Sequence, residues 1–237
     1  MTGTILNVIT VLIGGTLGTL LGSRLPDKMR ETVMNGLGLM TLVIGAQMAM
    51  SSHNVLIVIG SILLGGIIGE TLGIQNALDS IGKKLEDRFA RGGEAGKFTR
   101  GFVTASLIFC VGPMTILGSI QDGLIGDYNL LVIKSMLDGF ASLAFSSTLG
   151  IGVAFAALTV FFAQGSVSSA AMLLGSALGS VTRDTPWVIE MTATGGVLVM
   201  GISLVLLELK QVRVGNLLPA IFIAPLIVVV LGILHLT

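Results

Sequence analysis

The sequence predicts an all-α fold: a polytopic transmembrane helical bundle of about eight spans, built from repeated helical hairpins, with one cytoplasmic amphipathic helix. Three observations predict it. The 237 residues are 53% hydrophobic and 11% charged, with a mean hydropathy of +0.97, and one soluble core cannot bury so many apolar residues. The apolar runs reach the roughly 20 residues that a membrane-crossing helix needs. Glycines recur within these runs and favour close helix packing.

Hydropathy divides the chain, treated as a single integral membrane domain over 1–237, into eight candidate spans. They cover residues 4–23, 32–50, 54–74, 98–118, 129–147, 148–165, 186–207 and 215–236. Residues 146–150, between the fifth and sixth spans, are either a tight turn or an unwound point in one longer helix. Residues 167–182 are apolar but short and rich in small side chains, so we expect a re-entrant or interfacial segment there.

One pattern of four glycines occurs twice at an offset of 51 residues, as Gly14, Gly15, Gly18 and Gly22 and then as Gly65, Gly66, Gly69 and Gly73. The second copy carries Glu70 where the first carries Thr19. The pattern predicts two helices with glycine faces on which neighbouring backbones pack closely. Residues 1–74 and 98–118 are predicted to form repeated hairpins, and 129–237 the second half. Such internal repeats are common in transporter folds.

The segment 75–97, which follows the third span, is predicted to lie outside the hydrocarbon region. Apolar residues recur at helical spacing in its first part, with charged residues on the other faces. We expect an amphipathic helix on the cytoplasmic surface, either an ordinary connector or a lipid-sensing or gating helix, followed by a flexible glycine-rich link.

The distribution of basic residues predicts the orientation. Eleven of the thirteen lysines and arginines follow the first, third or seventh span, and the exceptions are Lys134 and Arg183. Because lysine and arginine collect in cytoplasmic loops, both termini are predicted to lie outside the cytoplasm.

Asp138 is the strongest candidate for a functional residue. It lies near the middle of the fifth span, where an ionised side chain is costly unless it is paired or hydrated. Lys134 precedes it by four residues, so the two side chains share a helix face. The pair is either a cation or proton site, in which the bound ion competes with the lysine for the carboxylate, or a structural ion pair.

Two glutamates lie nearer to the ends of their spans. Glu70 is surrounded by glycines in the third span, and it is either a binding residue or a side chain that reaches the membrane interface. Glu190 in the seventh span is near the outer interface, and we expect it to be exposed to water.

The segment 112–123 is the least helix-like of the apolar stretches. Pro113 lacks a backbone donor, so carbonyl groups around residues 107–110 lose their usual partners. These carbonyls, with the side chains of Thr115, Ser119, Gln121 and Asp122, are candidate ligands for a cation or a polar substrate at an unwound helix. The alternative is a proline kink followed by a turn.

Several other function classes receive no support from the sequence. The single cysteine excludes an intramolecular disulfide, and the two histidines are isolated in the sequence. No nucleotide-binding fingerprint or hydrolase motif is present. We therefore expect no enzymatic activity, no cofactor and no nucleic-acid partner. The expected partners are membrane lipids, an ion or small polar solute, and further copies of the chain.

Five stretches of sequence together resemble a known family. They are residues 14–18, 112–123, 134–139, 148–153 and 216–220, and they resemble the bacterial inner-membrane family called domain of unknown function 554. The resemblance covers nearly the whole chain. It implies a polytopic protein of the bacterial plasma membrane and carries no established substrate.

These features lead to two hypotheses. In the first, the chain is a small secondary transporter or channel for an ion or small polar solute, with Asp138, Lys134 and Glu70 as a charged centre on a water-accessible cavity. In the second, it is a non-transporting membrane scaffold or regulatory protein, whose glycine faces build an oligomer.

Overall fold

A computed structural model describes residues 1–22, 26–89, 96–174, 182 and 184–234 of the chain. These ranges contain helices and no strand, which confirms the all-α prediction. The helices are α1 Thr2–Gly22, α2 Asp27–Ala49, α3 Val55–Leu72, α4 Ile74–Phe89, α5 Lys97–Cys110, α6 Pro113–Leu124, α7 Asn129–Leu149, α8 Gly152–Leu174, α9 Pro186–Leu206 and α10 Pro219–Ile233, with a short 3₁₀ helix at Val214–Leu217 before α10. Seven are long and apolar enough to cross a membrane, or eight if α5 and α6 form one bent span.

Local sequence signals set several helix ends. Asn54 caps α3 by accepting a hydrogen bond from the amide of Leu56, and Gly73 ends that helix in a left-handed conformation with φ of 63°. Gly150 follows α7 with φ of 76°, and α8 begins two residues later. Residues 146–150 therefore include the end of α7 and the start of a turn. The interpretation as a tight turn between two helices is correct, and the unwound point within one longer helix is not.

Two other segments differ in detail from the prediction. Residues 167–174 continue α8 instead of forming a re-entrant segment, because the small residues after Gln164 still sustain helical hydrogen bonding; residues 175–181 and Arg183 lie outside the described residues. The fourth span is broken: α5 ends at Cys110, α6 begins at Pro113, and the two helices meet at an angle of 61°. The predicted amphipathic helix is present as α4, while residues 90–95 of the link are not described.

The helices divide into two compact units. Unit 1 consists of Met1–Leu37, Leu78–Cys110 and Met114–Val181. Unit 2 consists of Gly38–Ala77, Val111–Pro113 and Thr182–Thr237.

In unit 1, the glycine face of α1 packs directly on the backbone of α7. A Cβ atom at Gly14 would overlap the carbonyl of Gly139, and one at Gly18 would overlap the carbonyl of Leu143. These contacts advance in the same direction along both helices, so α1 and α7 run parallel. Helix α8 runs antiparallel to α1, and a Cβ at Gly15 would lie 2.6 Å from the Cβ of Ala154. The glycine repeat thus serves close packing here, as predicted.

In unit 2, the second glycine copy serves the same purpose on α3. A Cβ at Gly65 would overlap Ala220 at the start of α10, and one at Gly69 would overlap the carbonyl of Asn216 in the 3₁₀ helix. Because the contact positions rise on one helix as they fall on the other, α3 and α10 are antiparallel. Helices α2 and α9 also pack through glycines, with a Cβ at Gly45 only 2.7 Å from the amide nitrogen of Met200.

Candidate functional site

Unit 1 contains a buried ion pair extended by an amide. The side chains of Lys134 and Asp138 are 7% and 12% exposed and form a hydrogen-bonded ion pair one helical turn apart on α7. Asn7 of α1, which is fully buried, donates from Nδ2 to Asp138 Oδ2 at 2.9 Å. Since Lys134 donates to that same oxygen, both donors satisfy one half of the carboxylate. The pair predicted from the i, i+4 spacing is present, and Asn7 is an additional member from another helix.

Close approach of the backbones brings Asn7 to Asp138. Small residues line the contact of α1 with α7, and the hydroxyl of Ser142 donates to the carbonyl of Val11 at 2.8 Å. Such a bond between helices is possible because Gly14 and Gly139 remove two side chains from the contact. With the axes so close, a short asparagine side chain reaches the carboxylate directly.

Asp122 of α6 lies at the beginning of α1. Its side chain is 2% exposed, and Oδ2 accepts a hydrogen bond of 3.2 Å from the amide of Gly3. It also lies 2.9 Å from the α-amino group of Met1. The first amides of a helix lack partners within the helix and carry its positive dipole end, so a carboxylate at this position is stabilised.

The other predicted ligands on α6 have different environments. The hydroxyl of Thr115 donates to the carbonyl of Phe109 at 3.1 Å, which is the carbonyl that Pro113 leaves without its helical donor. The Thr115 hydroxyl therefore replaces the backbone donor that is missing at the break between α5 and α6. Ser119 is fully buried, and its hydroxyl has no hydrogen-bond partner within the described protein. Gln121 is half-buried.

Two polar residues of α8 received no role in the sequence analysis. Gln164 and Ser168 are both fully buried, and neither the amide of Gln164 nor the hydroxyl of Ser168 has a partner within the described protein. The signal in the sequence is a glutamine within an apolar run, followed by a serine four residues later. That signal is weak, because glutamine and serine in a membrane helix commonly bond to a neighbouring helix.

Glu70, the third residue of the predicted charged centre, belongs to unit 2, whereas Lys134 and Asp138 belong to unit 1. Its side chain is 56% exposed and accepts hydrogen bonds of 2.5 Å from Arg213 and from the amide of Asn216. Asn216 in turn accepts from the amide of Gln75 at 2.7 Å. These bonds connect the end of α3 to the 3₁₀ helix and to Arg213 before it. Glu70 therefore has the surroundings of a residue that stabilises this contact.

The expectation that Glu190 is exposed to water is wrong. The residue is 3% exposed, and its carboxylate accepts hydrogen bonds from the hydroxyl of Ser52 and the amides of His53 and Asn54, at 2.7, 2.8 and 3.0 Å. The short loop between α2 and α3 covers the start of α9, and its donors replace water around the charge.

A groove of about 270 Å³ lies between α1 and α7 in unit 1. Exposed apolar side chains such as Leu17, Met136 and Phe140 line much of it. Its lining includes neither Lys134 nor Asp138. This groove is therefore distinct from the water-accessible cavity that was predicted at the charged residues.

Comparison with known proteins is consistent with this architecture. A family model described as "Protein of unknown function (DUF554)" matches residues 2–229. The chain is 31% identical to the "Uncharacterized membrane protein YdfK" of Bacillus subtilis (strain 168), over 98% of this chain and 97% of that protein. It is 29% identical to the "Uncharacterized protein YqgA" of Escherichia coli (strain K12), over 94% of each. No solved structure matches significantly. With its apolar helices, the chain is a multi-pass membrane protein.

Proposed function

We propose that this chain, which belongs to the DUF554 family, is a small secondary transporter or channel that moves an ion or small polar solute across the bacterial plasma membrane. The family resemblance seen in the sequence motifs is confirmed. In this proposal, the pathway runs through unit 1, and both termini lie outside the cytoplasm. Glu70 has a structural role, and the charged centre consists of Lys134, Asp138 and Asn7.

The observation that carries the proposal is the buried ion pair near the middle of a membrane helix. Removing two charges from water costs more than a single ion pair usually returns, and replacing such pairs with apolar residues often stabilises a protein. A contribution to folding stability therefore does not explain why Lys134 and Asp138 are buried in this helix. A cation or proton that reaches Asp138 competes with the lysine for the carboxylate, and this competition gives the site two states.

The broken span supports the same proposal. Helices α5 and α6 meet at 61°, and α6 carries Ser119 and Asp122 into the interior of unit 1. Irregular backbone at membrane depth is tolerated where protein or a cavity surrounds it, and discontinuous helices form binding sites in many transporters. The break leaves the Phe109 carbonyl without its helical donor, but the Thr115 hydroxyl donates to it. The free carbonyl at the break is therefore hydrogen-bonded.

The test is transport by purified protein in liposomes. Currents are recorded after imposed gradients of Na⁺, K⁺ and H⁺, and osmotic swelling is recorded with glycerol and urea. We expect wild-type protein to exceed empty liposomes for at least one of these probes. Asp138→Asn and Lys134→Met should each abolish that flux, while Glu70→Gln should retain it. Unchanged flux in both unit 1 variants, or no flux of any probe with wild-type protein, would overturn the proposal.

The alternative function is a membrane scaffold assembled through glycine faces. In both units these faces are occupied within one chain: Gly14 and Gly18 contact α7, Gly65 contacts the start of α10, and Gly69 contacts the 3₁₀ helix. A further copy of the chain therefore finds these particular faces already covered. This occupancy favours transport over a scaffold built on the glycine repeat.

A further inference from the structure

We propose that unit 1 contains a site for a monovalent alkali cation, built by Thr4, Asn7, Ser119, Gln164 and Ser168. The inference rests on the proposed transport function and names its substrate class. Gln164 and Ser168 are the new members of the site, and Asn7 links it to Asp138 by a hydrogen bond.

Unit 1 contains an unusual number of buried polar atoms without a partner among the described residues. All five residues are fully buried. Six of their side-chain atoms have no hydrogen-bond partner within the described protein, namely Thr4 Oγ1, Asn7 Oδ1, Ser119 Oγ, Gln164 Oε1, Gln164 Nε2 and Ser168 Oγ. The large majority of buried side-chain polar atoms in proteins have a hydrogen-bond partner, and a buried atom without one is destabilising. Such a concentration in one unit indicates a site that a ligand completes.

Helices α6 and α8 bring two of these residues to the same region. The helices touch at Gly123, where a Cβ would overlap the carbonyl of Ser168 and lie 3.0 Å from the Cβ of Ala171. Ser119 precedes Gly123 by one turn on α6, and Gln164 precedes Ser168 by one turn on α8. Residues four apart share a helix face, so Ser119 and Gln164 lie on the faces through which the helices touch.

The beginning of α1 meets the same region. Two methyl groups of Leu131 on α7 lie against Gly3 and Gly118, at 2.6 and 2.8 Å from the Cβ positions of these glycines. Thr4 and Ser119 are the next residues along their helices. On the α8 side, the Met1 side chain lies 3.6 Å from the Cβ position of Gly165, which follows Gln164. The chain segments that carry Thr4, Ser119 and Gln164 therefore meet around Leu131 and the beginning of α1.

Asn7 joins this region to the ion pair. Its Nδ2 donates to Asp138, and the opposite end of the same amide, Oδ1, has no partner among the described residues. Both Lys134 and Asn7 donate to Oδ2 of Asp138, so neither of these donors occupies Oδ1 of that carboxylate. A cation at Asn7 Oδ1 is thus one amide group away from Asp138, for whose carboxylate it competes with Lys134.

The chemistry of the unpartnered atoms selects the class of ligand. Five of the six atoms are neutral oxygens, which suit a hard cation stripped of its water. Divalent cations prefer sites with several carboxylates, and the described residues contain no cluster of three or more His, Cys, Asp or Glu side chains that could hold a metal. The nearby carboxylates of Asp122 and Asp138 already have positively charged partners. A site of neutral oxygens therefore fits one positive charge.

The test is ion binding by the purified protein in detergent. Thermal unfolding is followed in NaCl or KCl and compared with N-methylglucamine chloride at equal ionic strength. Binding of radioactive sodium and rubidium is measured in parallel. We expect a saturable rise of several degrees with Na⁺ or K⁺, and which salt gives it identifies the ion. Gln164→Leu and Ser119→Ala should weaken binding by about tenfold or more. They should not lower stability without the ion, because they remove orphaned polar groups.

Matched variants control for the substitutions. Ser61→Ala in unit 2 removes an equally buried hydroxyl that donates to the carbonyl of Ile57, and Gln47→Leu changes an exposed glutamine of α2. Both should retain ion binding.

Equal stability in all salts, or equal ion affinity in wild-type, Gln164→Leu and Ser119→Ala, would overturn the cation site. Flux without binding at this site would leave the transport proposal standing, whereas binding without flux of any probe would preserve the site and remove transport.

Discussion

Helices α1 and α3 carry the same glycine pattern and pack in the same manner, yet their units treat polar groups differently. In unit 1, α1 lies against a buried lysine, a buried aspartate and several unpartnered polar atoms. In unit 2, the carboxylates of Glu190 and Glu70 lie near helix ends and accept hydrogen bonds from the loop between α2 and α3 and from the 3₁₀ helix, respectively. The glycine pattern therefore determines how closely the helices pack, but it does not determine which polar groups lie beside them.

The interiors of the two units show the same contrast among uncharged residues. Buried hydroxyls of unit 2 bond to carbonyls of their own helix: Ser61 donates to Ile57, Thr194 to Glu190 and Ser203 to Met200. In unit 1, Ser135 and Thr148 bond in the same way. Ser119 and Ser168 have the same chemistry and burial, but no partner within the part of the chain that the structure describes. A hydroxyl bonded to its own helix needs nothing further, whereas an orphaned one is available to a ligand. The difference favours unit 1 as the functional unit.

The largest difference between the units is expected when one carboxylate in each is neutralised. Asp138→Asn leaves Lys134 as an uncompensated buried charge, which should cost about 3–5 kcal/mol. Glu70→Gln breaks a pair that is more than half exposed, so at most about 1 kcal/mol is expected. Thermal unfolding in detergent measures both. Adding Lys134→Met to Asp138→Asn should restore most of the lost stability, and similar losses from the two single variants would contradict the contrast between the units.

The glycine faces should respond alike in both units. A Cβ at Gly14 meets the backbone of α7, and a Cβ at Gly65 meets the backbone of α10, so Gly14→Ala and Gly65→Ala should each cost about 1–3 kcal/mol. Gly36 on α2 has nothing within 4 Å of its Cβ position, and Gly36→Ala should be neutral or slightly stabilising. Unfolding temperatures compare the three variants. Tolerance of alanine at only one of the two repeat positions would show that the copies pack differently.

The smallest effect is expected at Glu86 on α4, a carboxylate of unit 1 that resembles those of unit 2. The hydroxyl of Thr99, at 2.5 Å, is the main cause of a lowered pKa for Glu86, and the amides of Gly96 and Thr99 also contribute. Because the folded pKa lies below the unfolded one, the stabilisation is complete above the unfolded pKa and disappears as the pH falls through the folded value.

Glu86→Gln should therefore lower the unfolding temperature at neutral pH by less than about 2 °C and by less still in acid. A pH series of melting curves for wild-type protein and this variant measures the difference. A difference that grows as the pH falls would contradict the assigned role of the Thr99 hydrogen bond.

Much of the fold was predictable because its signals are local. The amphipathic spacing predicted α4, and the lysine four residues before Asp138 predicted their pair, since one helix supplies both side chains. The proline predicted the break that separates α5 from α6. The end of α8 was misjudged, because small residues weaken the hydropathy signal without ending the helix.

The candidate site was less predictable because its members come from distant parts of the chain. Asn7 lies 131 residues from Asp138, and the donors around Glu190 come from a loop more than 130 residues earlier. No local pattern distinguishes Gln164, whose amide has no partner in the described ranges, from a glutamine that bonds to a neighbouring helix. A side chain's partners depend on which helices meet and in what register.

The sequence by itself determined that the chain is helical, crosses a membrane several times and uses glycines for packing, because hydropathy and steric demand act over a single helix. Only the tertiary structure decided that Glu70 is half exposed, that Glu190 is buried, and that Asn7 reaches Asp138. The physical reason is that the free energy of a charge in a membrane protein depends on the donors and acceptors that other helices bring to it.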